Sequence, residues 1–379
     1  MGTCKFCHSN DPFISEVLQI CRRCILERNW EEVKSHILNI HKQVRALVDL
    51  PGEPPKATNE NLKLSCDLCA NECKLGAVDI SYCGLRNYKK NANGELPLPS
   101  KSKGYIHGYL DRNPTNCCNA WICPAGTSVG YPKYSNINGP EYGTYSYAAF
   151  LYGCTFNCLF CQNESHKNFS KRNFNDVEVL SNQIAENKAI TCMCYFGGTP
   201  EAQLPFTINL ANIILEKIEK SGNKRKFRVC WEWNGSGNVK LIEECMEIAI
   251  KTGGNIKFDL KSFNEKLNFA MCGNSNKTTL NNFKYLAEKF FGIRKGVPEM
   301  SACTLMVSGY VNHEEVELIA NFISSINKEI PYSLLVFHGA YQMKDLPITP
   351  KNEAIKCFKV ARQYLDNVNL GNKFLLGYY

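Results

Sequence analysis

The chain has 379 residues, 44 Lys and Arg against 36 Asp and Glu, and a net charge of +8 spread without blocks of like sign, which excludes disordered and fibrous classes and favours an acidic partner only weakly. Its 21 cysteines are the departure: most cluster as CxxC-like pairs, the pattern of metal binding in a reducing compartment and not of a disulfide framework. No apolar run reaches the roughly 18 residues of a membrane span, and the opening "MGTCKFCHSN" lacks the basic and apolar regions of a signal peptide, so a cytoplasmic location without a membrane partner is expected.

Residues 1–50 open with two CxxC knuckles, Cys4 with Cys7 and Cys21 with Cys24, a set that could close around zinc or one iron. The following "WEEVKSHILNIHKQVRALVDL" repeats Ile37, Ile40, Val44, Leu47 and Val48 at helical spacing. A unit this short lacks a core of its own, so a metal-stapled helical unit is predicted. Residues 51–146 begin with the connector "PGEPPKATNEN" and continue into a CxxCxxxCx9C set, Cys66, Cys69, Cys73 and Cys83. Four thiolates could hold zinc or an auxiliary iron–sulfur cluster, and the spacing does not separate the two. The rest, rich in Gly, Pro, Asn and Tyr, reads as loops and short strands wrapped on a larger body. There Cys117, Cys118 and Cys123 could complete a metal site or face the active site as a thiol.

From residue 147 to 379 short β-rich runs alternate with helical patterns. The candidate strands are "YAAFLYG", "ITCMCYFGG", "FRVCWEWNG", "NIKFDLKSF", "SACTLMVSG" and "YSLLVFHG". Six such repeats predict an α/β fold, a partial (β/α)6 barrel whose strand ends present the site. Cys192, Cys194, Cys230 and Cys303 on these strands read as small core hydrophobes.

The stretch "YGCTFNCLFCQN" places Cys154, Cys158 and Cys161 in a CxxxCxxC frame. Four thiolates would close a metal site; three can hold three irons of a four-iron cluster and leave one open, or belong to a zinc site completed by a distant residue. With Phe160 before the last cysteine and the first candidate strand before the motif, the segment resembles the cluster motif of the radical S-adenosylmethionine (SAM) superfamily. That resemblance implies a 4Fe-4S cluster whose open iron chelates SAM, and reductive cleavage of SAM to a 5′-deoxyadenosyl radical that abstracts hydrogen from a substrate. It also implies roles for later strand ends. Gly197 and Gly198 of "YFGGTPE" would approach the SAM amino group, with Thr199 where an acidic residue is common; Glu232 and Asn234 of "CWEWNGSGN" would stand at the lip. Asp259 and Lys261 of "FDLKSF" would contact the amino acid moiety, Asn163 the adenosine part, and His338 of "LLVFHGAYQ" the nucleoside.

Over residues 147–379 the chain resembles the pyruvate formate-lyase activating enzyme branch, and more narrowly AmmeMemoRadiSam-type relatives with a cysteine-rich N-terminal segment. Glu232 and Trp233 stand where activases commonly carry Asp-Thr, which speaks against an activase-like cation site beside SAM. The implied partners are a low-potential electron donor, flavodoxin or ferredoxin, and a protein substrate. The alternatives are a non-catalytic zinc-ribbon adaptor binding nucleic acid, or a radical SAM enzyme that modifies RNA or transfers methyl groups.

Overall fold

The computed structural model describes residues 1–88, 99–168 and 174–377. Its N-terminal part forms an antiparallel ribbon of β1 (Gly2–Thr3) and β2 (Asn10–Asp11), helices α1 (Arg22–Glu27) and α2 (Trp30–Ala46), and a second antiparallel ribbon of β3 (Leu64–Ser65) and β4 (Lys74–Leu75). The α2 helix starts where the Asn29 side chain accepts from the Glu31 and Glu32 N–H groups, and acidic residues in its first turn suit the helix dipole. Its stripe of Val33, Ile37, Ile40 and Val44 is buried in the same hydrophobic core that fills the rest of the molecule.

The chain continues through β5 (Lys103–Arg112), α3 (Pro124–Thr127), β6 (Tyr145–Leu151), β7 (Phe174–Asp176), α4 (Val177–Glu186), β8 (Ile190–Gly197), α5 (Leu204–Lys220) and β9 (Arg228–Trp233). Then follow α6 (Val239–Thr252), β10 (Ile256–Asp259), α7 (Glu265–Cys272), α8 (Lys277–Phe290), β11 (Met300–Met306), α9 (His313–Ile326), β12 (Tyr332–Val336), α10 (Lys351–Tyr364) and β13 (Val368–Gly371). The central sheet runs β13-β12-β11-β10-β9-β8-β6-β5-β7 and does not close. From β6 to β13 the pairings are parallel; β5 and β7 are antiparallel additions at one edge.

The six expected strands are β6, β8, β9, β10, β11 and β12. Three strands of this sheet escaped the pattern, and one of them, β7, has only three residues. β13 has four residues, all half-buried, too few to show a period. β5 fell in a region expected to be loops: Gly104 and Gly108 interrupt its alternation because a Cβ at Gly108 would meet the Tyr147 ring at 2.0 Å, and one at Gly104 the Phe206 ring at 2.5 Å. Trp231 and Phe258 pack outward under the helices, against Thr207 of α5 and Phe283 of α8, while alternate residues face the lumen.

Residues 113–123 floor that lumen at the strand starts. Asn119 Nδ2 donates to Asn255 Oδ1 and Ser301 Oγ, both at 2.8 Å, and Trp121 Nε1 to Ser333 Oγ at 3.1 Å. A buried Arg228–Glu141 pair, 2.6 Å at its shorter contact, anchors the following loop to β9. Among the described residues no helix is long and apolar enough to cross a membrane.

Candidate active site

A cavity of about 190 Å³ opens at the carboxyl ends of the parallel strands. The loop after β6 contributes Cys154, Cys158, Cys161 and Asn163; β8 ends on it with Phe196, Gly197 and Gly198. Glu232 and Asn234 enter from β9, Lys257, Asp259 and Lys261 from β10, and Cys303 and Leu305 from β11. The tertiary structure therefore brings ten of the twelve expected site residues together.

Thr199 and His338 lie outside this lining. Thr199 is buried, donates its N–H to Gly153 O at 3.1 Å and turns its hydroxyl to Glu201. His338 is exposed, its Nδ1 3.3 Å from the carbonyl of Gly339.

The cysteine loop is held from four sides. Gly153 takes φ +82, where a Cβ would meet Leu85 Cδ1 at 2.7 Å and Cys83 O at 3.0 Å, so glycine is required for the approach of the Cys83 segment. The N–H groups of Asn157 and Leu159 donate to the carbonyls of Cys272 and Met271 at the end of α7, at 2.8 and 2.9 Å. The Thr155 hydroxyl sits 2.8 Å from both Ser236 Oγ and Asn234 Nδ2, and its carbonyl accepts from Asn71 Nδ2 at 2.8 Å. Asn157 joins two elements: its Nδ2 lies 2.8 Å from His41 Nδ1 on α2, and its Oδ1 accepts from Lys167 Nζ at 2.9 Å.

Glycine is equally required across the cavity. Gly197 has φ +110, and a Cβ on Gly198 would stand 2.0 Å from Gly153 O and 3.0 Å from the His166 ring. Gly198 N–H donates to Leu151 O at 2.9 Å, so β6 and β8 are drawn together where the cysteine loop starts.

A row of alternating charges crosses the wall. Lys257 Nζ lies 2.7 Å from Glu232 Oε2 and 3.2 Å from Asp259 Oδ1, and Lys261 Nζ 3.0 Å from Asp259 Oδ2. Burial pushes the Asp259 pKa up, but Lys257 and Lys261 outweigh it and hold the carboxyl at about 2. Lys257 was not expected. Its signal is the strand period: Lys257, Asp259 and Lys261 alternate onto one face of "KFDLK".

Among the three cysteines, Cys158 ionises most readily. A hydrogen bond from Cys272 lowers its pKa against burial, with help from Lys261 and Lys167, to about 7. Burial pushes Cys161 up to about 11 and Cys154 higher still.

Below this cavity a second, of about 60 Å³, is lined by Cys117, Cys123, Cys192, Cys194 and Cys230, and shares Glu232 and Lys257 with the first. Cys117 Sγ lies 3.0 Å and Cys194 Sγ 3.5 Å from Glu232 Oε1. The strand cysteines, expected to act as small core hydrophobes, line this mostly apolar lumen together with Cys117, and Cys303 reaches the upper cavity. Strand period alone could not say which face was the lumen.

Among the described residues, Cys4, Cys7, Cys21 and Cys24 are the one set of potential metal ligands whose donor atoms all lie within 4.8 Å of one another. The Cys7–Cys21 separation of 3.7 Å is close to the tetrahedral edge of about 3.8 Å that a Zn–S bond of about 2.3 Å requires. Cys154, Cys158 and Cys161 stand wider than this limit, as a polynuclear group needs, and all remain free thiols. Cys66, Cys69, Cys73 and Cys83 are also wider. Burial raises the first three of these, and each also feels Cys83.

Residues 149–323 match the radical SAM superfamily. The chain carries a radical SAM domain. Two proteins of Methanocaldococcus jannaschii that carry the name glycyl-radical enzyme activating enzyme are similar to it. One is 26% identical over 253 residues, covering 64% of this chain and 91% of that protein; the second is 22% identical, covering 59% and 79%. A domain of pyruvate-formate lyase-activating enzyme from Bacteroides vulgatus, known from its crystal structure, shares 19% identity over 47% of this chain and 98% of that one, with a TM-score of 0.37. The radical SAM superfamily implies a 4Fe-4S cluster and SAM. Three free thiols on one loop, facing a cavity with carboxylate and ammonium groups on its far wall, fit both.

Proposed function

We propose that Cys154, Cys158 and Cys161 hold three irons of a 4Fe-4S cluster and that the cavity above β8, β9 and β10 binds SAM. When bound, the cluster would supply one electron to SAM, breaking its sulfonium carbon–sulfur bond to give methionine and a 5′-deoxyadenosyl radical that would take hydrogen from the substrate. The observation that carries this reading is the union, in one cavity, of the three thiols with Gly197, Gly198, Asp259 and Lys261 from successive strand ends. Gly197 and Gly198 present backbone without a Cβ to the SAM amino group. Lys261, fixed by Asp259, would hold the SAM carboxylate, and Asn163 the adenosine part. Asn234 ties β9 to the cluster loop through Thr155. Glu232, held by Lys257, would stand at the floor of the site, between the two cavities.

The electron comes from a reduced flavodoxin or ferredoxin, and the substrate is a protein backbone or side chain. The names of the two archaeal relatives support that choice. Cys4, Cys7, Cys21 and Cys24 hold zinc, and Cys66, Cys69, Cys73 and Cys83 a second metal group, zinc or iron–sulfur.

The test is anaerobic reconstitution, reduction with dithionite and addition of SAM. Wild-type chain is expected to release 5′-deoxyadenosine and Cys158→Ala none. Equal turnover in Cys158→Ala, or a colourless chain holding only stoichiometric zinc, would refute the assignment.

A further inference from the structure

Two cations are buried with no carboxylate beside them, Lys167 against the cysteine loop and Arg45 against Tyr82. Lys167 is 5% exposed; its Nζ donates to Asn157 Oδ1 and lies 4.1 Å from the centroid of the Tyr341 ring. Arg45, on α2, is 1% exposed; its guanidinium donates to the carbonyls of Pro51 and Tyr82 and stacks 3.5 Å from the Tyr82 ring centroid. Among the described residues neither has an acid within ion-pair reach, whereas the buried Lys257, Lys261 and Arg228 each have one. Carbonyls, amides and rings solvate a cation but do not neutralise it, so a fold that buries such charges leaves them needing an anion.

The groups that can supply it are the three thiols. The Lys167 charge acts on Cys161, Cys154 and Cys158 together, and that of Arg45 on Cys154. The imidazoles beside them add no charge, since burial lowers His41 to about 4 and His166 to about 3.

We propose that Lys167 and Arg45 are the counter-cations of the cluster held by Cys154, Cys158 and Cys161, and that they set how readily it accepts an electron. The proposal rests on the site reading given above. An iron–sulfur core in three thiolates is an anion, and one electron from a reductant adds one further negative charge. Fixed positive charge in a dry site favours the more negative form and raises the reduction potential. Neither residue lines the cavity, so both act as positioning residues through the cluster and not on the substrate. Because Arg45 comes from α2, the N-terminal metal unit then contributes a charge to the catalytic centre.

The experiment is a dithionite titration of the anaerobically reconstituted full chain, followed by electron paramagnetic resonance of the signal that changes on SAM addition. Lys167→Met is expected to shift the equilibrium about tenfold toward the oxidised form, which for a one-electron couple is about 59 mV more negative. Lys167→Arg, which keeps the charge, retains the wild-type potential. In the metal-free full chain Lys167→Met raises the thermal unfolding midpoint, because the uncompensated charge is gone; a merely structural lysine would lower it. An unchanged potential in loaded Lys167→Met, or a lowered midpoint in its metal-free form, overturns the proposal. A wild-type chain that takes up no iron at the cysteine loop overturns the site reading, and the proposal falls with it.

Discussion

Glu201 shows what burial does to one residue at this site. It is fully buried behind the cavity wall, where its Oε1 accepts from Ser236 N–H at 3.0 Å and its other oxygen meets the Thr199 hydroxyl. Burial raises its pKa from 4.5 to about 7. Below pH 4.5 the carboxyl is protonated whether the chain is folded or not. Between 4.5 and about 7 the unfolded chain releases a proton that the folded chain keeps, so stability falls as pH rises, by about 3 kcal/mol in all, and is level above. Urea unfolding at pH 5 and pH 7.5 is expected to show that loss as the difference between wild type and Glu201→Gln, since the buried His41 and His166, which gain stability as pH rises, act equally in both chains. The sequence offered Glu201 only as the residue after "GGTP"; nothing in a linear reading distinguishes a buried carboxyl from a solvated one.

At the scale of elements, the site depends on how closely β6 and β8 approach at their carboxyl ends. Gly198 makes that approach possible, because its missing Cβ leaves room for the Gly153 carbonyl. Gly198→Ala is expected to push the start of the cysteine loop away, cost about 1–3 kcal/mol as an overpacked contact, and weaken SAM binding at least tenfold with secondary structure unchanged. Equilibrium SAM binding, with circular dichroism as the control for folding, measures this. The glycine pair was legible in the sequence as a turn with a use; that its neighbour is the loop carrying Cys154 was not, since the two segments are 45 residues apart and meet only through strand pairing.

Across the whole molecule, the N-terminal cysteine units form part of the catalytic body. α2 reaches the cysteine loop through His41, the segment of Cys66 to Cys83 reaches it through Asn71 and Leu85, and Arg22 of α1 pairs with Glu314 at 2.8 Å on α9. A metal held by Cys4, Cys7, Cys21 and Cys24, as proposed above, would staple the two knuckles that precede α2. Cys4→Ser is therefore expected to lower the zinc content and the thermal midpoint, and to reduce iron retention, while turnover per folded, loaded molecule changes much less. Metal analysis with a thermal melt tests this. Undiminished stability in Cys4→Ser would show that the knuckles do not fasten the unit.

The sequence by itself determined the six strands of the barrel, the two knuckles and the spacing of the three cysteines, because strand period and cysteine spacing are local quantities that need no partner to be read; the residues of the cavity wall were expected only from the family resemblance. It also placed Thr199 and His338 in a series to which their strand ends belong, but the lining of the cavity omits both. Only the tertiary structure decided that Lys257 joins the wall, that Cys117 and Cys194 face Glu232 across the lumen, and that Lys167 lies against the cysteine loop and Arg45 against Tyr82. Each of these rests on which face of an element is dry and what stands opposite, and that is settled by packing between segments far apart in the chain.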